Sequence, residues 1–182
     1  MRPVARVLLQ AQGNVPIKHF FDGGDAATDM LYRIPAIGDD QFATASAHLG
    51  FALSAGISAA SAKGHTNDTV FFVHTGDGGM NYAPAQFAKA AQRRLPLVVA
   101  VYNDCSFRSI ERDMIAEGYH SARQIAGLPD IDFATVAEGY GKKYGAKGFK
   151  VAKIEELSDA FSKAIELAQA GHPALLDIRW PR

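Results

Sequence analysis

Apolar residues along this chain fall into short unbroken runs, separated by polar glycine turns and by stretches of helical period. Thr69-Val70-Phe71-Phe72-Val73 and Leu97-Val98-Val99-Ala100-Val101 are β-branched and aromatic and lack the alternation of a half-exposed strand. They predict buried parallel strands. Ile17 to Phe21 and Ala174 to Ile178 predict two more. Between the first pair, Tyr82 to Leu95 sets Ala85, Phe87, Ala88, Ala91 and Leu95 at helical spacing, and Pro96 blocks continuation. Val4 to Gln12 predicts an opening helix ended by Gly13-Asn14, with Pro16 forbidding its resumption. Asp132 is placed to cap a helix through Tyr140, stopped by Gly141. Glu155 to Ala170 puts Leu157, Phe161, Ile165 and Ala168 on one helical face and ends at Gly171. Lys63 to Asp68, with an exposed His65, and Tyr119 to Gly127 read as loops. Phe107 to Glu117 mixes charged and apolar residues in the manner of a solvated helix face. Alternating strands and helices predict one α/β domain over 1–182, with a doubly wound, mostly parallel sheet and helices on both faces.

Ala43 to Ala62 departs from this amphipathic pattern. Ala45, Ala47, Leu49, Phe51, Leu53, Ala55, Ile57 and Ala59 leave little polar surface, and a helix apolar all round is buried on more than one side. One small domain cannot easily cover it, so the expectation is that part of it packs against another chain. Gly50 and Gly56 permit close approach.

The chemistry is concentrated in three turns that each follow a strand-like run: Asp22-Gly23-Gly24-Asp25, His74-Thr75-Gly76-Asp77-Gly78-Gly79-Met80, and Tyr102-Asn103-Asp104-Cys105-Ser106. In an open α/β sheet all three belong to the carboxyl edge, where ligands bind. Gly76, Gly78 and Gly79 allow a tight turn and a close approach of backbone N–H groups to an anion. The helix that follows adds its positive end. Asp77 and Asp104 are hard oxygen ligands, and a backbone carbonyl just beyond Asp104 offers a third oxygen. Mg²⁺ binds in this way, through one or two carboxylates together with phosphate oxygens and water. The residues therefore point to a Mg²⁺–diphosphate site. His74, inside its strand, is expected to be buried and satisfied. Cys105 has no evident neighbouring base and reads as structural. Asp25 admits both a ligand-edge role and a plain helix-capping role.

Composition narrows the classes. The 182 residues suffice for one domain with a real core. Nineteen basic residues balance nineteen acidic ones, so no basic field argues for nucleic acid. One cysteine precludes an internal disulfide framework and fits a reducing compartment. Gln10 and Gln12 interrupt the early apolar run too soon for a secretory signal. The longest weakly polar stretch, Leu49 to Ala62, is too short to span a bilayer. A cytoplasmic location away from membranes is expected.

Gly76-Asp77-Gly78 followed by Asn103-Asp104 resembles the two-part signature of the thiamine diphosphate (ThDP) enzyme family. Asp77 and Asp104 are 27 positions apart, as in that motif. Upstream, Ala47-His48-Leu49-Gly50-Phe51-Ala52-Leu53 is similar to the segment that holds the cofactor's aminopyrimidine in benzoylformate and pyruvate decarboxylases. Leu128 to Ala134 and Pro173 to Ile178 resemble the closing part of the same domain. The resemblance implies ThDP and Mg²⁺ as cofactors, bound by the diphosphate half of the family's two-part site. It implies cofactor contacts from Asp25, Ala26, Ala27, Ala47, His48, Leu49, Gly76, Asp77, Gly78, Gly79, Asp104, Ser106 and Phe107. The metal would be held by Asp77, Asp104 and Ser106. Many members carry asparagine where this chain has Asp104. Leu49 resembles the residue that wedges the cofactor into its bent form, and His48 reads either as a catalytic group or as a structural histidine.

The same resemblance implies a missing half. Members activate the cofactor through a glutamate on a separate pyrimidine-binding domain, and no second α/β unit is visible here. The chain is thus expected to be inactive alone and to work in a homo- or hetero-oligomer on 2-oxo acids, by decarboxylation or carboligation. It would be the β subunit of a split enzyme of the sulfopyruvate or phosphonopyruvate decarboxylase type, or a domain cut from a longer chain. Met1 directly before a helix favours the former. Other readings remain: the ThDP-binding chain of a 2-oxoacid oxidoreductase complex, a non-catalytic phosphate-ligand module, or a flavodoxin-like domain.

Overall fold

A computed structural model describes residues 1–43, 48–62 and 68–180. The elements are α1 (Arg2–Gln12), β1 (Ile17–Phe21), α2 (Asp25–Leu31), β2 (Gln41–Ala43), α3 (Phe51–Ala62), β3 (Val70–Gly76), α4 (Asp77–Tyr82) and α5 (Gln86–Gln92). They continue with β4 (Leu97–Asn103), α6 (Arg108–Ala116), α7 (Ala122–Ala126), α8 (Phe133–Gly141), β5 (Lys147–Val151), α9 (Leu157–Gln169) and β6 (Ala174–Arg179). The six strands pair in the order β2-β1-β3-β4-β6-β5, every pair parallel. This is the expected doubly wound α/β sheet.

Two apolar layers sandwich the sheet. On one face Val4 and Leu8 of α1, Met30 of α2 and Phe161 of α9 pack with Phe21, Phe72 and Leu176. On the other, Leu53 of α3, Phe87 of α5 and Phe133 of α8 pack with Val73, Leu97 and Val99. β3 and β4 are covered on both sides, which explains their unbroken apolar runs. From β1 the chain runs outward to β2, then returns past β1 to β3. The crevice between the carboxyl ends of β1 and β3 is therefore a topological switch point, where such folds bind ligands.

The boundaries differ from expectation in instructive places. The helix foreseen from Ala43 begins at Phe51: Gln41–Ala43 is the edge strand β2, and 44–47 lie outside the described residues. Gly50, at φ 85°, takes the left-handed conformation just before the helix. The span from Tyr82 to Leu95 is not one helix. Pro84 lacks an N–H and forces Ala83 out of the helical region (φ −151°, ψ 48°), so α4 and α5 are separate. The glycine turn after β3 is a direct passage from strand to helix, with Gly76 as the last strand residue and Asp77 the first of α4. The segment read as loop from Tyr119 contains α7. β2 and β5 escape sequence reading because both are short, largely solvated edge strands without an apolar run. Most of the loop 63–68, His65 included, lies outside the described residues. Among the described residues no helix is long and apolar enough to cross a membrane.

Candidate functional site

The three polar turns meet at the carboxyl edge of β1, β3 and β4 and enclose a cavity of about 260 Å³. Gly23 to Ala27 form one wall, Gly76 to Gly79 the floor, and Asp104 with Ser106 to Ile110 the other wall; Leu49 and Tyr102 complete the lining. Asp25, Ala26, Ala27, Leu49, Gly76, Asp77, Gly78, Gly79, Asp104, Ser106 and Phe107 are thus brought together as the sequence implied. Ala47 lies outside the described residues. His48 is exposed and does not line the cavity.

Asp22 fixes the walls relative to the floor. Its Oδ2 accepts from the Gly50 N–H (2.9 Å) and the Thr75 hydroxyl (2.7 Å), and its Oδ1 accepts from the Ala52 N–H (3.4 Å). One buried carboxylate at the end of β1 therefore caps α3 and ties it to β3. Close packing then explains the glycines. A Cβ on Gly79 would sit 2.2 Å from Asp22 Oδ2 and 2.4 Å from Thr75 Oγ1, and one on Gly78 would sit 2.6 Å from the Phe107 ring. Neither residue has a positive φ, so they serve close approach rather than an unusual turn.

Asp77 is only 4% exposed. Its Oδ1 accepts from its neighbour Gly78 N–H (2.8 Å) and its Oδ2 from the Ser106 N–H (3.1 Å), which joins the β3 and β4 turns. Burial pushes the Asp77 carboxyl up to about 6; the backbone N–H groups of Gly78, Ser106 and Cys105 oppose that shift, and the charge of Asp104 adds to it. Asp104 Oδ2 accepts from Arg108 Nε at 2.6 Å. The Ser106 hydroxyl donates to Glu111 Oε2 (2.6 Å). Asp25 opens α2 without a side-chain cap and instead pairs with Arg112, reaching over from α6. Two carboxylates facing one cavity are an arrangement that attracts a hard cation and then, across that cation, an anion.

The loop carrying Asp104 is braced from behind. Asn103 Nδ2 donates to Asp177 Oδ1 (2.9 Å) and to the Ile131 carbonyl (3.0 Å). Trp180 N–H donates to the Asn103 carbonyl (2.8 Å). Cys105 takes φ 56°, held by its N–H to Asn103 Oδ1 (3.3 Å), and its thiol points to the same oxygen; this agrees with a structural role. A second buried chain crosses the sheet: His19 Nδ1 lies 3.0 Å from His74 Nε2, and His74 Nδ1 lies 2.8 Å from the Tyr102 hydroxyl. His74 is buried and satisfied, as expected.

Sequence reasoning missed Arg108, Ser109 and Ile110 as lining residues. For Arg108 a signal existed, since it stands four residues beyond Asp104 at the start of a helix.

Residues 23–178 match the family model described as thiamine pyrophosphate enzyme, C-terminal TPP binding domain. The chain belongs to this family. The chain is 30% identical over 165 residues to 2-hydroxyacyl-CoA lyase 2 of Danio rerio, covering 86% of this chain and 24% of the relative. It is 31% identical over 133 residues to the acetolactate synthase large subunit of Buchnera aphidicola, covering 72% and 22%. In fold it matches the thiamine diphosphate-dependent 4-hydroxybenzoylformate decarboxylase of Rhodococcus jostii with a TM-score of 0.78 at 24% identity, over 100% of this chain and 33% of that one. This thiamine pyrophosphate-binding domain thus spans about a quarter of the curated relatives' length and a third of the solved structure.

Proposed function

We propose that this domain binds ThDP and Mg²⁺ for an enzyme that decarboxylates or carboligates 2-oxo acids, and that it works only with a pyrimidine-binding domain carrying the activating glutamate. The observation that carries the reading is the convergence of Asp77 and Asp104 on one cavity at the switch point of a ThDP-family fold. The residues present fit the cofactor. Asp77, Asp104 and the Ser106 carbonyl would hold the cation, with the diphosphate between the Asp25–Ala27 wall and the Gly76–Gly79 floor. Leu49 projects into the same cavity as an apolar wall. Bound there, ThDP supplies the carbanion-stabilising chemistry, while the protein supplies position and electrostatics.

The chain's own contribution is preorganisation. The two N–H groups on Asp77 fix its carboxylate before any cation arrives, and burial keeps competing water away. The partner reading rests on length, since the domain accounts for about a quarter of its relatives. α3 supports it too: Ala52, Leu53, Gly56 and Ala60 are buried within the chain, while Phe51, Ala55, Ile57 and Ala59 are only partly covered. A second subunit or domain against these partly covered residues would complete the burial. ThDP titration with and without Mg²⁺ tests the cofactor. Pull-down of a partner followed by assay with 2-oxo acids tests the activity, and an active chain without any partner would overturn that part.

A further inference from the structure

α6 reverses the usual sorting of residues. Its one buried residue is a carboxylate, Glu111, 7% exposed, while Ile110 and Ile115 are more than half exposed. Burying a carboxylate is costly, so its partners must repay the lost hydration. They are unequal. Arg123 Nε donates to Glu111 Oε1 at 3.2 Å from a side chain that is itself 77% exposed, which makes a weak pair. The Ser106 hydroxyl donates to Oε2 at 2.6 Å, and Ser106 is buried. That hydroxyl has one proton and a second acceptor in reach, the Ala126 carbonyl at 3.4 Å; the shorter bond to the charged oxygen takes it.

Ser106 is thereby held at two points. Its N–H reaches Asp77 Oδ2 at 3.1 Å, joining the wall of the cavity to its floor, and its hydroxyl is fixed to α6. On either side, the Leu128 N–H donates to the Cys105 carbonyl and the Phe107 N–H to the Ala126 carbonyl, both at 2.8 Å. Those bonds anchor the neighbours, and the Glu111 link fixes the side chain of Ser106 itself. We propose that Glu111 is a positioning residue for the cation turn: through the Ser106 hydroxyl it holds the backbone N–H that orients Asp77. This inference rests on the ThDP–Mg²⁺ reading above and adds to it a carboxylate that acts without lining the cavity. Groups that aim a metal's ligands from behind are worth about ten- to hundredfold in affinity.

Positioning, charge and plain stability leave different patterns across one set of variants. Under positioning, Glu111→Ala should weaken Mg²⁺-dependent ThDP binding about ten- to hundredfold. Glu111→Gln should stay within about threefold of the parent, because an amide in either orientation still bonds a hydroxyl that both donates and accepts. Ser106→Ala cuts the same link from the other end and should match Glu111→Ala, with the double variant no weaker than either single one. A direct pull of the Glu111 charge on the cation would instead make Glu111→Gln and Glu111→Ala weaken the site alike. A link that serves stability only would lower melting temperatures and leave affinity unchanged. A second measurement needs no ligand. In the ligand-free chain, amide hydrogen exchange at position 106 should quicken about tenfold in Glu111→Ala and Ser106→Ala but not in Glu111→Gln. Val99, inside β4, should keep its protection throughout. Thermal melting confirms folding, and where Glu111→Ala does not fold, Ser106→Ala decides. Parent-like affinity or unchanged exchange in the alanine variants overturns the proposal, as do equal losses in Glu111→Gln and Glu111→Ala or additive losses in the double variant. A parent that binds no ThDP, with or without a partner, would refute the cofactor reading instead, and exchange at position 106 would still decide whether Glu111 holds the turn.

Discussion

Asp77 and Asp177 are both buried aspartates, one just beyond β3 and one within β6, and they do opposite work. Asp177 is fully buried in β6, and its charge is answered on every side: Asn103 donates to Oδ1, the Phe133 N–H donates to Oδ2 (3.1 Å), and Arg179 stands 3.1 Å from Oδ2. Asp77 receives two N–H groups and faces a second carboxylate instead of a cation. Burial raises both carboxyls above their ordinary range, and each feels another carboxylate, Asp104 for Asp77 and Asp132 for Asp177, yet only Asp177 has a guanidinium, that of Arg179, pulling the other way. A satisfied buried charge holds the fold together. One left short of positive charge on the floor of a cavity is what the proposed cation site requires.

The sharpest way to break this contrast is to delete each carboxylate. Asp177→Ala strands Asn103, the Phe133 N–H and Arg179, and should cost about 3–5 kcal/mol of folding stability. Asp77→Ala should leave the ligand-free chain about as stable as the parent near pH 7.5 while removing Mg²⁺-dependent ThDP binding. Calorimetric melting and titration of both variants check this pair. Equal destabilisation by the two would erase the distinction.

The pH dependence sharpens the same point. The folded Asp77 carboxyl titrates near 6 and the unfolded one near 4, so in that window the folded chain binds the extra proton. Relative to Asp77→Ala, the parent therefore gains stability as pH falls from about 6 to 4, by up to about 3 kcal/mol for a shift of roughly two units. Buried His19, pushed down to about 4, and His74, also held low by burial, act in the other direction in both proteins. Their neutral forms stabilise the fold above about pH 6.5, and that stability is lost as pH falls. Asp77→Ala should thus show the steeper acid loss in chemical denaturation across pH 4–7.

Smaller effects follow from the packing that frames Asp77. Gly79→Ala drives a methyl group against Asp22 and Thr75, which hold each other in place, and should cost about 1–3 kcal/mol in urea denaturation. The smallest change expected is Asp104→Asn. Its amide oxygen still coordinates, so ThDP affinity at fixed Mg²⁺ should stay within about tenfold of the parent, about 1.4 kcal/mol. Asp104→Ala should cost more in the same titration.

Much of this was legible in the sequence. Four apolar runs announced β1, β3, β4 and β6, and the residues just beyond three of them are those that line the cavity. Apolar runs and glycine-flanked aspartates are local signals, so local reading finds them. The edge strands β2 and β5 are set by pairing with a neighbour and carry no such run. Pro84 is visible in the sequence, but the helical spacing on either side of it masks the break it imposes. The role of Asp22 depends on partners brought in by folding, Gly50, Ala52 and Thr75. The reasons for Gly78 and Gly79 likewise emerge only once Phe107 and Asp22 are packed against them.

Asp77 and Asp104, in the function proposed here, together hold a divalent cation against a diphosphate. Isothermal titration of ThDP into the parent, Asp77→Ala and Asp104→Ala, each with Mg²⁺ and with chelator, tests it most directly; where the domain needs its partner to bind, the reconstituted complex takes its place. Binding should be tight only in the parent and only with Mg²⁺, with Mg²⁺ and ThDP each strengthening the other. Parent-like, Mg²⁺-dependent affinity in either alanine variant would show that the aspartate it lacks is no ligand, and the assignment would fail at that residue.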